Sequence, residues 1–260
     1  MAPRKIEFSA VRACIFDMDE LLINSEDIIT QSTNQFLEGY GRPPFTRSIR
    51  AQLMGVPDST NGDIFHNLAQ LPISREQWAR EWSENLRLNF PDCKPLPGAE
   101  KLLLNLSRAC GASSGDAIEL ALASGSETDS YERKTSNPAT KQLLSFFQPD
   151  KRVLGDDPRV RQGRGKPAPD IYLVALESLN ASARASGAKP IMPNECLVFD
   201  DSVIGVEAGR RAGMRVVWVP HPDMAVEYQT KQADVLEYFD YEKYGISVSS
   251  ETSQMHNKDQ

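Results

Sequence analysis

Val11-Arg12-Ala13-Cys14-Ile15-Phe16-Asp17-Met18-Asp19-Glu20 decides how the rest of the chain is read. Its first six residues form a short, mainly apolar run that ends abruptly in acids, the look of a strand buried on both faces of a parallel sheet. Open α/β sheets bind ligands outside the carboxyl ends of their strands, so acids placed directly after Phe16 are delivered into that crevice. Residues two apart in extended backbone point the same way, which sets Asp17 and Asp19 on one side and Met18 on the other. Two carboxylates facing one site can hold a hard cation.

The 260 residues are enough for one or two domains with a sizeable core, and 25% charged residues beside 40% apolar ones is an ordinary globular balance. No long apolar segment points to a membrane, and Met1 to Phe8 contains no unbroken apolar region of the secretory kind. The four cysteines, Cys14, Cys93, Cys110 and Cys196, lack CxxC spacing, which predicts reduced thiols in a cytoplasmic protein. A formal charge of -7 argues against nucleic acid as a partner, because that affinity comes from Lys and Arg on phosphates. A small phosphate ester stays open, since local cations can offset a global negative field.

From Ser25 the pattern turns helical, with periodic stretches over Asp27–Glu38, Ser48–Met54, Thr60–Leu71 and Ser74–Asn89. Ser74 with Gln77 is a capping-box signature, and Pro72 and Pro91 bracket that helix. About seventy helical residues before the next strand are too many for one βα connection, so a separate small bundle is expected. The helix Ala99–Cys110 then leads back to a buried strand, Ile118–Ala123, which ends in Ser124-Gly125-Ser126. A hydroxyl and a glycine at the carboxyl end of a parallel strand can hydrogen-bond a phosphate oxygen.

Lys166-Pro167-Ala168-Pro169-Asp170 follows a basic, Gly-rich loop, its prolines stiffening the approach to a helix. Glu195–Phe199 repeats the opening design, a strand that ends in Asp200-Asp201-Ser202; Arg215–Val219 and Ala233–Tyr238 are further strand candidates. The expected fold class is α/β, a Rossmann-like doubly wound parallel sheet with an inserted helical cap. Residues 1–24 and 96–245 make the core, 25–95 the cap, and 246–260 a disordered tail.

Asp17-Met18-Asp19, Ser124-Gly125, Lys166-Pro167 and Asp200-Asp201, in that order and mostly directly after strands, resemble the four motifs of the haloacid-dehalogenase-like (HAD) phosphohydrolases. The resemblance covers Ile6 to about Asp223. It implies a Mg2+-dependent hydrolase that acts on a small phosphorylated metabolite as a monomer, without a nucleic-acid or membrane partner. By the same resemblance Asp17 is the nucleophile and Asp19 the general acid and base. Ser124, Gly125 and Lys166 hold the phosphate. Asp17, Asp19 through its backbone carbonyl, Asp201 and Asp200 make the metal group. The helical insert covers the site and selects the substrate.

A neighbouring anionic cluster is expected to raise the pKa of Asp19. Glu20 stands where relatives usually carry Gly; strand alternation favours a side chain pointed outward as a solvated group, whereas one facing the site would raise the pKa of Asp19, repel a phosphate dianion and lower activity. A β-phosphoglucomutase-like isomerase is the nearest rival, but such relatives carry a His at the twelfth position beyond the nucleophile, where this chain has Ile29. A weakened fold kept as a binding module is the other alternative; the intact charges in all four motifs speak against it.

Overall fold

The computed structural model describes residues 10–44, 58–112, 115–185, 187–221, 236 and 238–248. Strand β1 (Ala13–Phe16) is followed by α1 (Ser25–Gly39), α2 (Asp58–Ala69), α3 (Arg75–Asn89) and α4 (Ala99–Ser107). Then come β2 (Ala109–Gly111), β3 (Glu119–Ala123), α5 (Thr128–Lys134), α6 (Pro138–Leu144) and β4 (Arg152–Val153). The chain continues through α7 (Asp170–Ala185), β5 (Cys196–Asp200), α8 (Val203–Arg211), β6 (Arg215–Trp218) and β7 (Ile246–Val248). The main sheet has the order β4-β3-β1-β5-β6, with every neighbouring pair parallel.

Alternation along β1 divides the core. Cys14 and Phe16 face one apolar cluster with Leu102, Leu106, Phe147 and Phe199, whereas Ala13 and Ile15 face another with Tyr172, Leu179 and Ala208. All four residues of β1 are fully buried, as a strand covered on both faces must be. Phe16 stacks on Phe199 with ring centroids 4.5 Å apart, an arrangement worth about 1 kcal/mol beyond its area burial.

The ladder also fixes the backbone where the strands end. Asp17 N–H donates to the Phe199 carbonyl at 3.0 Å, Ser124 N–H to Val153 at 3.0 Å, and Val219 N–H to the Asp200 carbonyl at 2.9 Å. These site positions are therefore as rigid as the sheet.

Helices α1, α2 and α3 share an apolar cluster of their own, built on Phe36, Leu37, Phe65, Leu71 and Trp78. The expected cap of Ser74 on α3 is present, its hydroxyl accepting from Gln77 N–H at 3.1 Å. The two segments that join this bundle to the sheet run side by side. Asn24 N–H donates to the Lys94 carbonyl at 3.1 Å, Leu96 N–H donates to Leu22 at 2.9 Å, and Asn24 Oδ1 accepts from Lys94 N–H at 2.7 Å.

Two expectations change at the carboxyl end. The tail expected to be disordered from residue 246 begins with β7, which pairs antiparallel with β2, and Ile246 is buried. Its partner β2 takes over the end of the helix expected to run to Cys110; three residues are too few to carry an alternation signal. The helix expected at Ser48–Met54 and residues 249–260 lie outside the described residues, as does the strand expected at Ala233–Tyr238 apart from Leu236 and Tyr238. The cysteines are free thiols, as expected. Among the described residues no helix is long and apolar enough to cross a membrane.

Candidate active site

The carboxyl ends of β1 and β5 bring Asp17, Asp200 and Lys166 together. The Lys166 ammonium donates to Asp17 Oδ1 at 2.6 Å and to Asp200 Oδ2 at 2.7 Å, with all three groups almost wholly buried. Burial opposes the lysine's charge, but Asp17 and Asp200 hold its pKa well above the usual lysine range. Burial is also the largest influence on Asp17; although Lys166 counteracts it, Asp200 and Asp19 add to it and the carboxyl is pushed up to about 7.

Asp200, expected in the metal group, has its carboxylate taken up by the chain itself. Besides Lys166 it accepts from the Tyr172 hydroxyl, and its Oδ1 accepts from Ser202 N–H and Ser202 Oγ, both at 2.8 Å. The same Ser202 hydroxyl caps α8 by accepting from Gly205 N–H at 3.0 Å. A Cβ added at Gly205 would sit 1.8 Å from Asp200 Oδ2, so only glycine lets α8 approach this closely. Both Asp200 oxygens thus have partners within the chain, Lys166 among them.

Asp201 differs. Its carbonyl accepts from Trp218 Nε1 at 2.8 Å, which anchors the backbone, while among the described residues no donor reaches its carboxylate. Burial, then Asp17 and Asp200, push its pKa well above the carboxylate range. The Asp19 carbonyl likewise accepts no hydrogen bond among the described residues.

No three His, Cys, Asp or Glu side chains among the described residues converge as a closed cage. Mg2+ does not require one, since it commonly takes one or two carboxylates and completes its shell with water and substrate oxygens. Two carboxylates, Asp17 and Asp200, share one ammonium beside a third, Asp201, and the two with oxygens to spare, Asp17 and Asp201, both resist ionisation. A hard divalent cation held by Asp17, Asp201 and the Asp19 carbonyl fits that donor set.

Asp19 overturns an expectation. Its Oδ1 accepts from Lys134 Nζ at 2.6 Å, and its Oδ2 from Ser126 Oγ at 2.6 Å and Ser124 Oγ at 3.2 Å. Burial alone would raise its pKa, but the Lys134 charge, with hydrogen bonds from Lys134 and Ser126, holds the carboxyl below the usual range. The anionic cluster was expected to raise it; a cation nearer than the other acids reverses the sign.

Ser124, fully buried, ends β3 as expected, and Ser126 N–H donates to its hydroxyl at 3.1 Å. An added Cβ at Gly125 would meet nothing within 4 Å, so the backbone there is open to a ligand. At Gly155, by contrast, a Cβ would lie 2.3 Å from the Gly125 carbonyl oxygen, so the two loops can touch only because Gly155 lacks one.

Glu20, expected to be solvated, is 2% exposed. Its φ of +55° turns the side chain out of the strand alternation and under the bundle. There its Oε2 accepts from Glu26 N–H in the first turn of α1 at 3.0 Å, and its Oε1 lies 3.2 Å from His221 Nε2. Asn24, at the N-cap, makes no side-chain cap of its own. Glu20 supplies the missing acceptor.

Lys134, Tyr172, Ser126 and His221 belong to this site and were not singled out from sequence. Tyr172 carries the one usable signal. A tyrosine on a helix face that is otherwise apolar needs a partner for its hydroxyl, which points to a buried polar group nearby.

The family profile of haloacid dehalogenase-like hydrolases matches residues 14–219. A Saccharomyces cerevisiae protein named a probable pseudouridine-5'-phosphatase is 37% identical over 82% of this chain and 84% of its own length. A Drosophila melanogaster protein named likewise is 35% identical over 87% and 89%. The crystal structure of a HAD hydrolase of family IA, variant 3, from Entamoeba histolytica HM-1:IMSS superposes with a TM-score of 0.63 at 20% identity, over 90% of this chain and 97% of that one, a likeness of fold. The four motif positions sit at the ends of β1, β3 and β5 and just before α7, inside the matched span, and the chain belongs to the haloacid dehalogenase-like hydrolase family.

Proposed function

We propose that this protein is a Mg2+-dependent phosphomonoester hydrolase that works through an aspartyl phosphate on Asp17. The observation that carries the reading is the buried Asp17–Lys166–Asp200 cluster beside the open carboxylate of Asp201. Lys166 neutralises Asp17 and orients its free oxygen; the same ammonium lies where it would attract a phosphoryl oxygen. Asp17 attacks phosphorus, the bond from phosphorus to the ester oxygen breaks, and that oxygen takes a proton from Asp19. Water then cleaves the aspartyl phosphate and gives its proton to Asp19, so the net products are an alcohol and inorganic phosphate. A divalent cation, when bound, would offset the phosphate's charge and draw the pKa values of Asp17 and Asp201 down.

Asp19 starts as a carboxylate paired with Lys134. The approach of a phosphate dianion favours its protonation, since a like charge raises an acid's pKa. In the second displacement the anion is ready to accept a proton.

The yeast and fly relatives' names support pseudouridine 5'-phosphate as the substrate, with the bundle of α1 to α3 as the selecting cap. A mutase is disfavoured by Ile29, which is apolar and packs against the core cluster where a proton-transferring side chain would be needed. A monomeric, cytoplasmic enzyme completes the reading.

The test is a panel of phosphate esters that includes pseudouridine 5'-phosphate, glycerol 3-phosphate and hexose phosphates, assayed with Mg2+ and with chelator. Chelator-sensitive phosphate release, fastest on the nucleotide, is the expected result. Interconversion of sugar phosphates without phosphate release would replace the hydrolase reading with the mutase one.

A further inference from the structure

Lys134 is an unusual lysine for its place. It ends α5, is 6% exposed, and directs its ammonium to Asp19 Oδ1 at 2.6 Å and to Ser126 Oγ at 2.9 Å, with the Phe90 ring centroid 4.9 Å away. A buried ammonium is costly unless each of its protons finds a partner, and here an ion pair, a hydroxyl and an aromatic face supply three. Lys166 has no part in this second pair: it donates to Asp17 and Asp200, and Lys134 to Asp19 and Ser126.

The helix that carries Lys134 is pinned along its length. At its start Thr128 N–H and Oγ1 both donate to Asp156 Oδ1, at 3.0 and 2.9 Å. At its middle the Tyr131 hydroxyl accepts from Arg152 Nη1 at 3.1 Å, which ties it to β4. Beyond its end Asn137 Nδ2 donates to the Cys93 carbonyl at 3.1 Å, on the segment that returns from the helical bundle. A long, flexible side chain becomes a fixed reference point when its helix and its head group are both held.

We propose that Lys134, acting with Ser126, is the positioning residue for Asp19, fixing the direction of the carboxylate that exchanges protons with the ester oxygen and with water. The proposal rests on the hydrolase reading and deepens it. Lys134 bonds to Asp19 and Ser126 and not to Asp17, so it acts through Asp19. Three donors on two oxygens define one orientation of a side chain that could otherwise turn about its Cβ, and proton transfer depends on such alignment.

The test compares kcat/KM for wild type, Lys134→Met, Lys134→Arg and Ser126→Ala on two esters. Dinitrophenyl phosphate has a leaving group that departs without a proton, whereas glycerol 3-phosphate releases an alkoxide that needs one. Lys134→Met should lose about 10²-fold on the alkyl ester and under about threefold on the aryl ester, Ser126→Ala should show the same selectivity more weakly, and Lys134→Arg should recover part of the alkyl rate. Equal losses on both esters, or no loss, would overturn the proposal, and Ser126→Ala decides it if Lys134→Met does not fold.

The pair is also tested without turnover. Urea unfolding of Lys134→Met, Asp19→Asn and the double variant should give a double loss smaller than the sum of the single losses, because the second substitution removes a group already orphaned. Additive losses would overturn it. A wild type inert on both esters would sink the hydrolase reading, while this unfolding cycle still judges the pair.

Discussion

At the scale of the residue, the decisive group is Asp17, a carboxylate whose pKa burial pushes up to about 7 while Lys166 pulls against it. An acid with a raised folded pKa binds more protons folded than unfolded between about pH 4 and that value, so its presence lowers stability as pH climbs through the window. Asp17→Asn removes both the proposed nucleophile and the titration. With chelator present, the variant should fold, show no turnover, and exceed wild type in urea midpoint by a margin that widens from about pH 5 to about pH 8. A margin independent of pH would contradict the assigned shift, and turnover in the pure variant would remove Asp17 as nucleophile. Glu20 leads to the opposite kind of prediction. Glycine would relieve its positive φ, worth about 1 kcal/mol, but would delete the carboxylate that accepts from Glu26 N–H and faces His221. The lost cap and buried partner outweigh the relief, so Glu20→Gly should cost on the order of 1 to 3 kcal/mol in chemical unfolding. A variant that gained stability, or gained kcat/KM at low salt, would return Glu20 to the role of a charge facing the substrate. Sequence placed this residue beside the site but gave no hint of its direction, because strand alternation stops applying where φ turns positive.

At the scale of the element, legibility followed burial. β1, β3 and β5 could be read because central parallel strands are continuous apolar runs, and each delivers its motif at its last residue or just beyond it. β4, with two residues, and β7, with three, carry no pattern of their own and exist through pairing. Lys134 was hidden for a related reason. It stands in a polar stretch, Thr128–Thr140, that reads as a loop and the start of a helix until the fold turns one lysine inward. The connection between bundle and sheet was legible only as a pair of boundaries; its construction as two hydrogen-bonded segments was not. Asn24 is the residue that joins them through both backbone and side chain. Asn24→Ala should cost about 1 kcal/mol and speed hydrogen exchange at Lys94, whose N–H loses its acceptor. Unchanged exchange there would mean that backbone bonds alone hold the connection.

At the scale of the whole molecule, the chain closes on itself through its last described residues. Phe239 packs on Phe199 with centroids 5.2 Å apart and stacks on Tyr244 at 5.1 Å, so this segment lies beneath the strand that ends in Asp200. Ile246 N–H donates to the Tyr241 carbonyl at 3.0 Å, and β7 then covers β2 with a register of Gly111 to Ile246. The site faces the other way. Asp17, Ser124 and Asp200 are held by ladder bonds within the parallel sheet, and none of those bonds involves β7. Stability and catalysis should therefore separate at this end of the protein. A chain cut after Gly245 loses the buried Ile246 and the β2 pairing, and should be less stable than one cut after Val248 by on the order of 2 to 4 kcal/mol. At a temperature where both are folded, kcat should agree within about twofold, because the groups proposed to meet the phosphate keep their supports. If the shorter chain matched the longer in stability, β7 would be an ornament on the fold. If it kept its stability margin but lost turnover, the strand would reach the site through β5 and Phe199, and the separation drawn from the ladder would be wrong.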